Sequence, residues 1–419
     1  MMKKLYAETI VIILFLSIAL PLALAQQTDS WPMFHRDPAH TGYSNTQGPS
    51  TNQTLWIFDT NGWVLSSPAV VDNVVYFASS DEGYFTNTNN NLNAVNAEDG
   101  TKIWNFSTHG KIYTSPAIAD GFVYFGSDDH NIYALNAQTG ALVWNYTTGN
   151  QAEGSPTVAS GIVYAGSNDN SMYALNALSG ALIWAFPTGG DVTSCPAVSN
   201  GVVYFGSYDH MVYALDAVTG AKKWNYTTGN VVASSPVVAD GNVYVGSYDN
   251  KTYALNASNG DLIWNVTTGY DQCVQASPGF ANDLILTGGA FDNKVYALDA
   301  ATGETVWTYG TGAGITTAPA IVGNTVYVSS TLENKIYALS AQTGEFLWSY
   351  QTDGNVYSSP AVVDGVAYFG SYDGNFYAIG QNEGGDGNSE VPNVVYYAIV
   401  TVVLILVVVA AIVILRKRR

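Results

Sequence analysis

Side chains able to do chemistry fall into four sets in this chain. His35, Arg36, Asp37 and His40 crowd one stretch, residues 31–44 (WPMFHRDPAHTGYS). Two imidazoles five residues apart with a proline between them match no zinc or metalloprotease spacing. The stretch reads instead as a segment docked through Trp31, Met33 and Phe34 that keeps a polar face. Cys195 and Cys273 lie too far apart in the repeat pattern to satisfy the Cα separation of about 7 Å that a disulfide needs, and both read as free packing thiols. Asp81, Asp129, Asp169, Asp209, Asp249, Asp292, Glu333 and Asp373 recur at one register. Such a ring could attract cations, but an aspartate ahead of Gly, Asn or His is ordinary turn chemistry, and that reading is adopted. The fourth set is Trp63, Leu65, Lys111, Tyr113, Glu153, Asp191, Thr193, Gln275 and Tyr357. These stand just before a recurring proline and differ between repeats whose other positions are uniform. All but Leu65 are the candidate ligand-binding residues. No catalytic residue and no metal ligand is assigned.

The elements that position them are repeats. Residues 196–229 read as four strands of about five residues, each bounded by Gly, Asn or Asp. The proline recurs at Pro68, Pro116, Pro156, Pro196, Pro236, Pro278, Pro319 and Pro360, in steps of 48, 40, 40, 40, 42, 41 and 41. A tryptophan recurs at Trp56, Trp104, Trp144, Trp184, Trp224, Trp264, Trp307 and Trp348. A period near 40 with four strands per period indicates a β-propeller. Each sheet covers its faces by stacking on neighbours, which accounts for strands that read almost wholly apolar. The first tryptophan precedes the first proline, and none follows the last. Eight blades are therefore expected, with residues 54–60 supplying the outer strand of the final blade beside residues 375–379. The step of 48 places an insertion at residues 82–91 (EGYFTNTNNN), read as a surface loop. Smaller insertions fall near residues 270–275 and 329–332.

The flanks define the expected organisation. Residues 1–25 carry Lys3 and Lys4, an apolar run and Ala-Leu-Ala, the pattern of a cleaved secretory leader. Residues 26–53 form the N-terminal docking segment, 54–380 the propeller and 381–393 a flexible linker. Residues 394–415 contain no charge. At roughly 33 Å as a helix they are long enough to span a bilayer. A basic tail, 416–419, follows and would lie in the cytoplasm, leaving the propeller outside the cell. Residues 26–393 hold eight lysines and arginines against 32 aspartates and glutamates, a net of −24. An acidic, arginine-poor surface argues against nucleic-acid or anionic-lipid binding. Seven Asn-x-Ser/Thr sequons occur, at Asn52, Asn105, Asn145, Asn225, Asn250, Asn256 and Asn265, acceptors for glycans in an extracellular protein.

The unit SPAVVDGVAYFGSYDGNFYA at residues 359–378 resembles the pyrroloquinoline-quinone (PQQ)-like propeller repeat. ALNAQTGALVW at residues 134–144 is similar to that family's tryptophan-docking motif, and residues 31–44 resemble a segment found before such propellers. The resemblance covers about residues 31–380. It implies that the eight tryptophans each pack against a neighbouring blade, and it carries two functional expectations. Cofactor-free members act as scaffolds; here that means a cell-surface module binding an extracellular protein or small ligand, with no cofactor. The alternative is an extracytoplasmic PQQ- and calcium-dependent alcohol or sugar dehydrogenase. Such enzymes use adjacent cysteines under the quinone and an arginine beside its carbonyls. This chain has no Cys-Cys pair, and Arg36, the one arginine of residues 26–393, lies outside the repeats.

Overall fold

A computed structural model describes residues 29–81, 90–269 and 276–381. Eight antiparallel sheets of four strands succeed one another along the chain, each drawn from consecutive sequence except the last. The fourth blade shows the plan. Inner strand Ala197–Ser199 is followed by Val202–Gly206, Met211–Asp216 and Lys222–Thr227. One row crosses it through Ala197, Tyr204, Ala214 and Trp224. The first hairpin turns at Asn200 (φ 51°) and Gly201 (φ 74°), the double positive φ of a two-residue turn matched to strand twist.

The two middle strands are buried on both faces, as stacked sheets require. The outer strand behaves differently. It alternates, with Trp224 turned inward and its neighbours exposed. In other blades that exposure falls on apolar residues such as Leu142, Val143, Leu182 and Ile183. The almost wholly apolar reading thus holds for the inner sheet and not for the rim, because no further strand covers the outer edge.

Blade-to-blade contact is carried by the tryptophans. The indole Nε1 of Trp184 donates to the carbonyl of Ala217 in the next blade at 3.0 Å. Trp56, Trp104, Trp144, Trp224, Trp264 and Trp307 do the same to Ala97, Ala137, Ala177, Ala257, Ala300 and Ala341. The ring of Trp184 lies over Gly220, where a Cβ would stand 2.7 Å from it. Trp348 sits at the seam: it packs on Tyr327 with ring centroids 5.7 Å apart. With residues 46–50 it lines a cleft of about 590 Å³. A second set of links runs through the serines beside the prolines. The amide of Ser67 donates to Ser115 Oγ, that of Ser115 to Ser155 Oγ and that of Ser235 to Ser277 Oγ. Cys195 takes the serine position in blade four and donates its amide to Ser235 Oγ.

The eighth sheet is built from both ends of the propeller sequence. Gln53–Asp59 pairs antiparallel with Asn375–Gly380, with Trp56 opposite Ala378. The offset between the proline and tryptophan series follows from this pairing. Tyr43–Ser44 adds a short parallel strand to the inner strand Ala320–Val322 of blade seven.

Residues 31–44 run across the inner strands at the centre of the ring. Carbonyls of Trp31, Pro32, Pro38, Ala39, Thr41 and Gly42 accept the amides of Val70, Ile118, Val198, Val238, Phe280 and Ile321, the middle residues of six inner strands. The polar face expected on this segment is therefore corrected for its imidazoles, while Arg36 and Asp37 stay partly exposed. His35 is 3% exposed and His40 0%, because inner strands surround the segment.

Among the described residues no helix is long and apolar enough to cross a membrane. The expected leader, the linker beyond Gln381, the span and the basic tail lie outside the described residues. So do residues 82–89 of the first insertion, Cys273 and Gln275. Thr331–Glu333, in the third insertion, forms one 3₁₀ turn.

Candidate functional site

Loops joining the outer strand of one blade to the inner strand of the next form one mouth of the ring. The loop into blade four is fastened on both sides. The amide of Val192 donates to the Ser167 carbonyl of the blade before, and the amide of Tyr208 donates to the Asp191 carbonyl from the turn of blade four. Val64, Ile112, Ala152, Val192, Val232, Ile315 and Val356 form the buried midpoints of these loops. The residues flanking a midpoint are left to vary.

In blades eight, one and two those flanking residues assemble into a wall. Tyr357 packs on Tyr372 at 4.7 Å between centroids, and Tyr372 stacks on Trp63 at 4.8 Å with an interplanar angle of 5°. Lys111 Nζ lies 5.5 Å from the Trp63 ring centroid and 5.8 Å from that of Tyr113. Lys111 is only 8% exposed. Aromatic faces are one of the few surroundings that stabilise a desolvated ammonium.

A carboxyl pair adjoins the wall. Asp128 donates its amide to the Lys111 carbonyl at 2.8 Å and shares a side-chain hydrogen bond with Glu153. Burial pushes the Asp128 carboxyl up to about 7, the Glu153 charge adds to this and Lys111 opposes it. Asp128 therefore keeps its proton well above the usual carboxylate range, beside the Glu153 carboxyl it is hydrogen-bonded to. The assembly offers flat apolar faces, a fixed cation and a carboxyl pair able to donate or accept a hydrogen bond.

Of the candidate residues, Trp63, Lys111, Tyr113, Glu153 and Tyr357 lie in this assembly. Asp191 and Thr193 occupy equivalent loop positions in blade four, beside Tyr208. Gln275 lies outside the described residues. Sequence reasoning missed Tyr372 and Asp128. Both sit one position before the recurring carboxylate; Asp128 differs there from Ser80, Asn168 and Tyr208, so within-chain comparison of that turn would have found it, whereas Tyr372 matches Tyr208 and Tyr248 and would not have stood out.

The recurring carboxylates are structural latches. Asp209 Oδ2 accepts the Gly189 amide at 2.8 Å and the Tyr213 hydroxyl at 2.6 Å. Asp169 does the same with Gly149 and Tyr173, and Asp373 with Asp353 and Tyr377. Glu333 accepts Tyr337 at 2.9 Å. Each ties a blade's own turn to the loop entering that blade. The tyrosine four residues on was a signal present in every repeat except the first, where Asn91 and Asn93 stand in the third strand.

At the centre of the ring, His40 Nε2 lies 3.0 Å from Thr157 Oγ1 and 3.5 Å from Cys195 Sγ, and Nδ1 lies 3.2 Å from the Pro236 carbonyl. His35 Nδ1 lies 2.9 Å from the His40 carbonyl. Burial lowers His35 to about 4; burial and then the charge of His35 lower His40 to about 3. Burial pushes the Cys195 thiol up to about 12, so it is an unreactive packing thiol.

A PQQ-repeat family model, described as "Outer membrane protein assembly factor BamB", matches residues 88–194, 174–290 and 291–386. The chain belongs to this family. No curated protein matches it by sequence. Among solved structures, BamB from Moraxella catarrhalis is 20% identical with a TM-score of 0.65, over 80% of this chain and 98% of that one. A europium-containing methanol dehydrogenase is 14% identical with a TM-score of 0.70, over 84% and 92%. A computationally designed protein, Ika8, is 17% identical with a TM-score of 0.69, over 79% and 100%. These likenesses are of fold.

Whether this PQQ-repeat propeller could hold a quinone and calcium is a question for its residues. Arg36 is paired with Asp29 at 3.0 Å and donates to the Tyr43 carbonyl. Cys195 is surrounded by His40 and Thr157. Among the described residues no three His, Cys, Asp or Glu side chains are grouped as a metal site would need. The described residues do not fit the quinone–calcium pair.

Proposed function

We propose that this PQQ-repeat propeller is a cofactor-free binding module, displayed outside the cell on a single C-terminal membrane span, that engages a protein or small ligand at its mouth. The carrying observation is the wall of Tyr357, Tyr372, Trp63, Lys111 and Tyr113 with its Asp128–Glu153 pair. Chemically distinctive side chains collect there, on loops whose backbones are fastened to two blades, while the rest of the repeat is uniform. Tryptophan and tyrosine anchors of this kind dominate binding energy in protein interfaces. A docking role accords with the matched family's description as an assembly factor. The charge-free stretch 394–415, followed by Arg416, Lys417, Arg418 and Arg419, supports the anchoring.

The test is capture from the native envelope by the full chain, comparing wild type with Trp63→Ala and Tyr357→Ala, each shown to be folded by circular dichroism. A partner held by wild type and lost at least tenfold from both variants is expected. Capture indifferent to both variants overturns the mouth as the site. Quinone-dependent dye reduction with an alcohol, after addition of PQQ and Ca²⁺, overturns the binding-module reading.

A further inference from the structure

We propose that Asn105, Asn145, Asn225 and Asn265 carry N-linked glycans, forming a modified sector on the outer rim of blades one, two, four and five. The inference rests on the extracellular reading above, and the structure adds what the sequons alone lack. Each of these asparagines lies on the outer strand of its blade directly after the docking tryptophan, in Lys102–Ser107, Leu142–Thr147, Lys222–Thr227 and Leu262–Thr267. In a strand, residues two apart share a face. The sequon hydroxyls Ser107, Thr147, Thr227 and Thr267 therefore point the same way as their asparagines. Asparagine and hydroxyl are exposed in all four, and the residue between them is half-buried. Where these groups have a partner it is a half-buried side chain of the same blade, never main chain: Asn91 Oδ1 for Asn105 and Ser107, Asn131 Oδ1 for Asn145 and Thr147, and the Met211 sulfur for Asn225. Displacing such partners costs little.

The other three sequons are engaged by the fold. Asn52 donates its amide to the main-chain carbonyl of Ser349 in the neighbouring blade. Asn250 is half-buried in a turn at φ 72°. Asn256 Oδ1 accepts both the amide and the hydroxyl of Ser258, its own sequon partner.

The rim also has a use for such groups. An outer strand presents an unpaired edge, and apolar side chains flank the proposed sites: Ile103, Leu142, Val143, Leu262 and Ile263 are all exposed. An exposed apolar edge invites edge-to-edge pairing, and a bulky polar substituent blocks it.

The chemistry needs a lipid-linked, phosphate-activated oligosaccharide as donor. The asparagine amide nitrogen attacks the anomeric carbon and a C–N bond forms. The C–O bond to phosphate breaks, its electron pair leaving with the lipid phosphate, and the amide gives up one proton to a base of the transferase.

Peptide mass spectrometry of the full chain, purified from its native envelope, tests the proposal. Sugar mass is expected at Asn105, Asn145, Asn225 and Asn265 and not at Asn52, Asn250 or Asn256. Asn145→Gln should lose one glycan increment. Bare asparagine at all four sites, in a chain that starts after residue 25 and is cleaved by protease added to intact cells, overturns the glycan inference while leaving the extracellular reading intact. A chain that retains its leader and resists that protease overturns both. Equal modification at Asn250 and Asn256 overturns the selection by exposure.

Discussion

Lowering the pH from 7 to 5 should destabilise this propeller through the two imidazoles at its centre. Burial lowers His35 from 6.5 to about 4 and His40 from 6.5 to about 3, with the His35 charge adding at His40. At pH 5 both stay neutral in the folded chain, whereas in the unfolded chain both are mostly protonated. A histidine whose folded pKa is depressed contributes stability that is whole above 6.5 and is lost as pH falls toward the folded value. Between pH 7 and 5 the unfolded state gains about 1.4 pH units of proton binding per histidine that the folded state does not. At 1.36 kcal/mol per unit that is about 2 kcal/mol each, or about 4 kcal/mol together. Asp128 works the other way. Its folded pKa is raised to about 7, so it contributes stability at low pH that is lost as pH rises through 7. It is partly exposed, and solvent screening reduces its contribution to about 1 kcal/mol. The net fall is about 3 kcal/mol, measurable by urea titration at the two pH values. Asp128→Asn should enlarge the fall to about 4 kcal/mol, and His40→Asn should shrink it by about 2 kcal/mol. An Asp128→Asn protein equally stable at pH 7 and 5 would refute the placement of neutral imidazoles at the centre.

Two further outcomes follow from the latches and the docking bonds. Trp224→Phe keeps an aromatic ring on Gly260 but removes the N–H···O bond to Ala257. It should cost about 0.5–1.5 kcal/mol in urea unfolding from the lost bond alone, since the Tyr204 hydroxyl still donates to the Ala257 carbonyl at 3.1 Å; a stabilised variant would contradict the docking role. Asp209→Ala removes a carboxylate that accepts from Gly189 and Tyr213 and should cost about 2–3 kcal/mol. Millimolar Ca²⁺ should leave the wild-type melting temperature unchanged. A calcium-dependent rise that vanishes in the variant would make the acidic ring a cation site after all.

The fold was legible because its determinants are local and repeated. A tryptophan, a glycine about 36 residues later in the next blade and a two-residue turn recur at a near-fixed spacing, so the seven copies of one contact could be read from one copy, with Trp348 at the seam the exception. Residues 31–44 were legible only in part. Trp31 and Met33 announced a docked segment, but His40 bonds Thr157 and Pro236, 117 and 196 residues away. Only closure of the ring brings those partners to one point. The imidazoles therefore looked like a polar face when they are interior. At the mouth, Trp63 and Lys111 stood out because they interrupt a uniform pattern. Tyr372 did not, because Tyr208 and Tyr248 hold the same position in other blades; only its neighbours, Trp63 and Tyr357, distinguish it.

That last point also explains why identity can reside at the mouth without endangering the ring. The loops are held by main-chain bonds, such as Val192 to Ser167 and Tyr208 to Asp191, and by buried midpoint residues. Neither depends on which side chain occupies the flanking positions. The tryptophans of the outer strands have no such freedom, since ring, N–H and underlying glycine are all engaged between blades. Substitutions in a propeller of this kind therefore divide by position. Those on the docking row change stability, and those beside the loop midpoints change what the surface presents. The cost of a buried lysine against Trp63 and Tyr113, and of the buried Asp128 carboxyl beside Glu153, falls on loops fastened by main-chain bonds, and a ring closed by Gln53–Asp59 on Asn375–Gly380 can bear it.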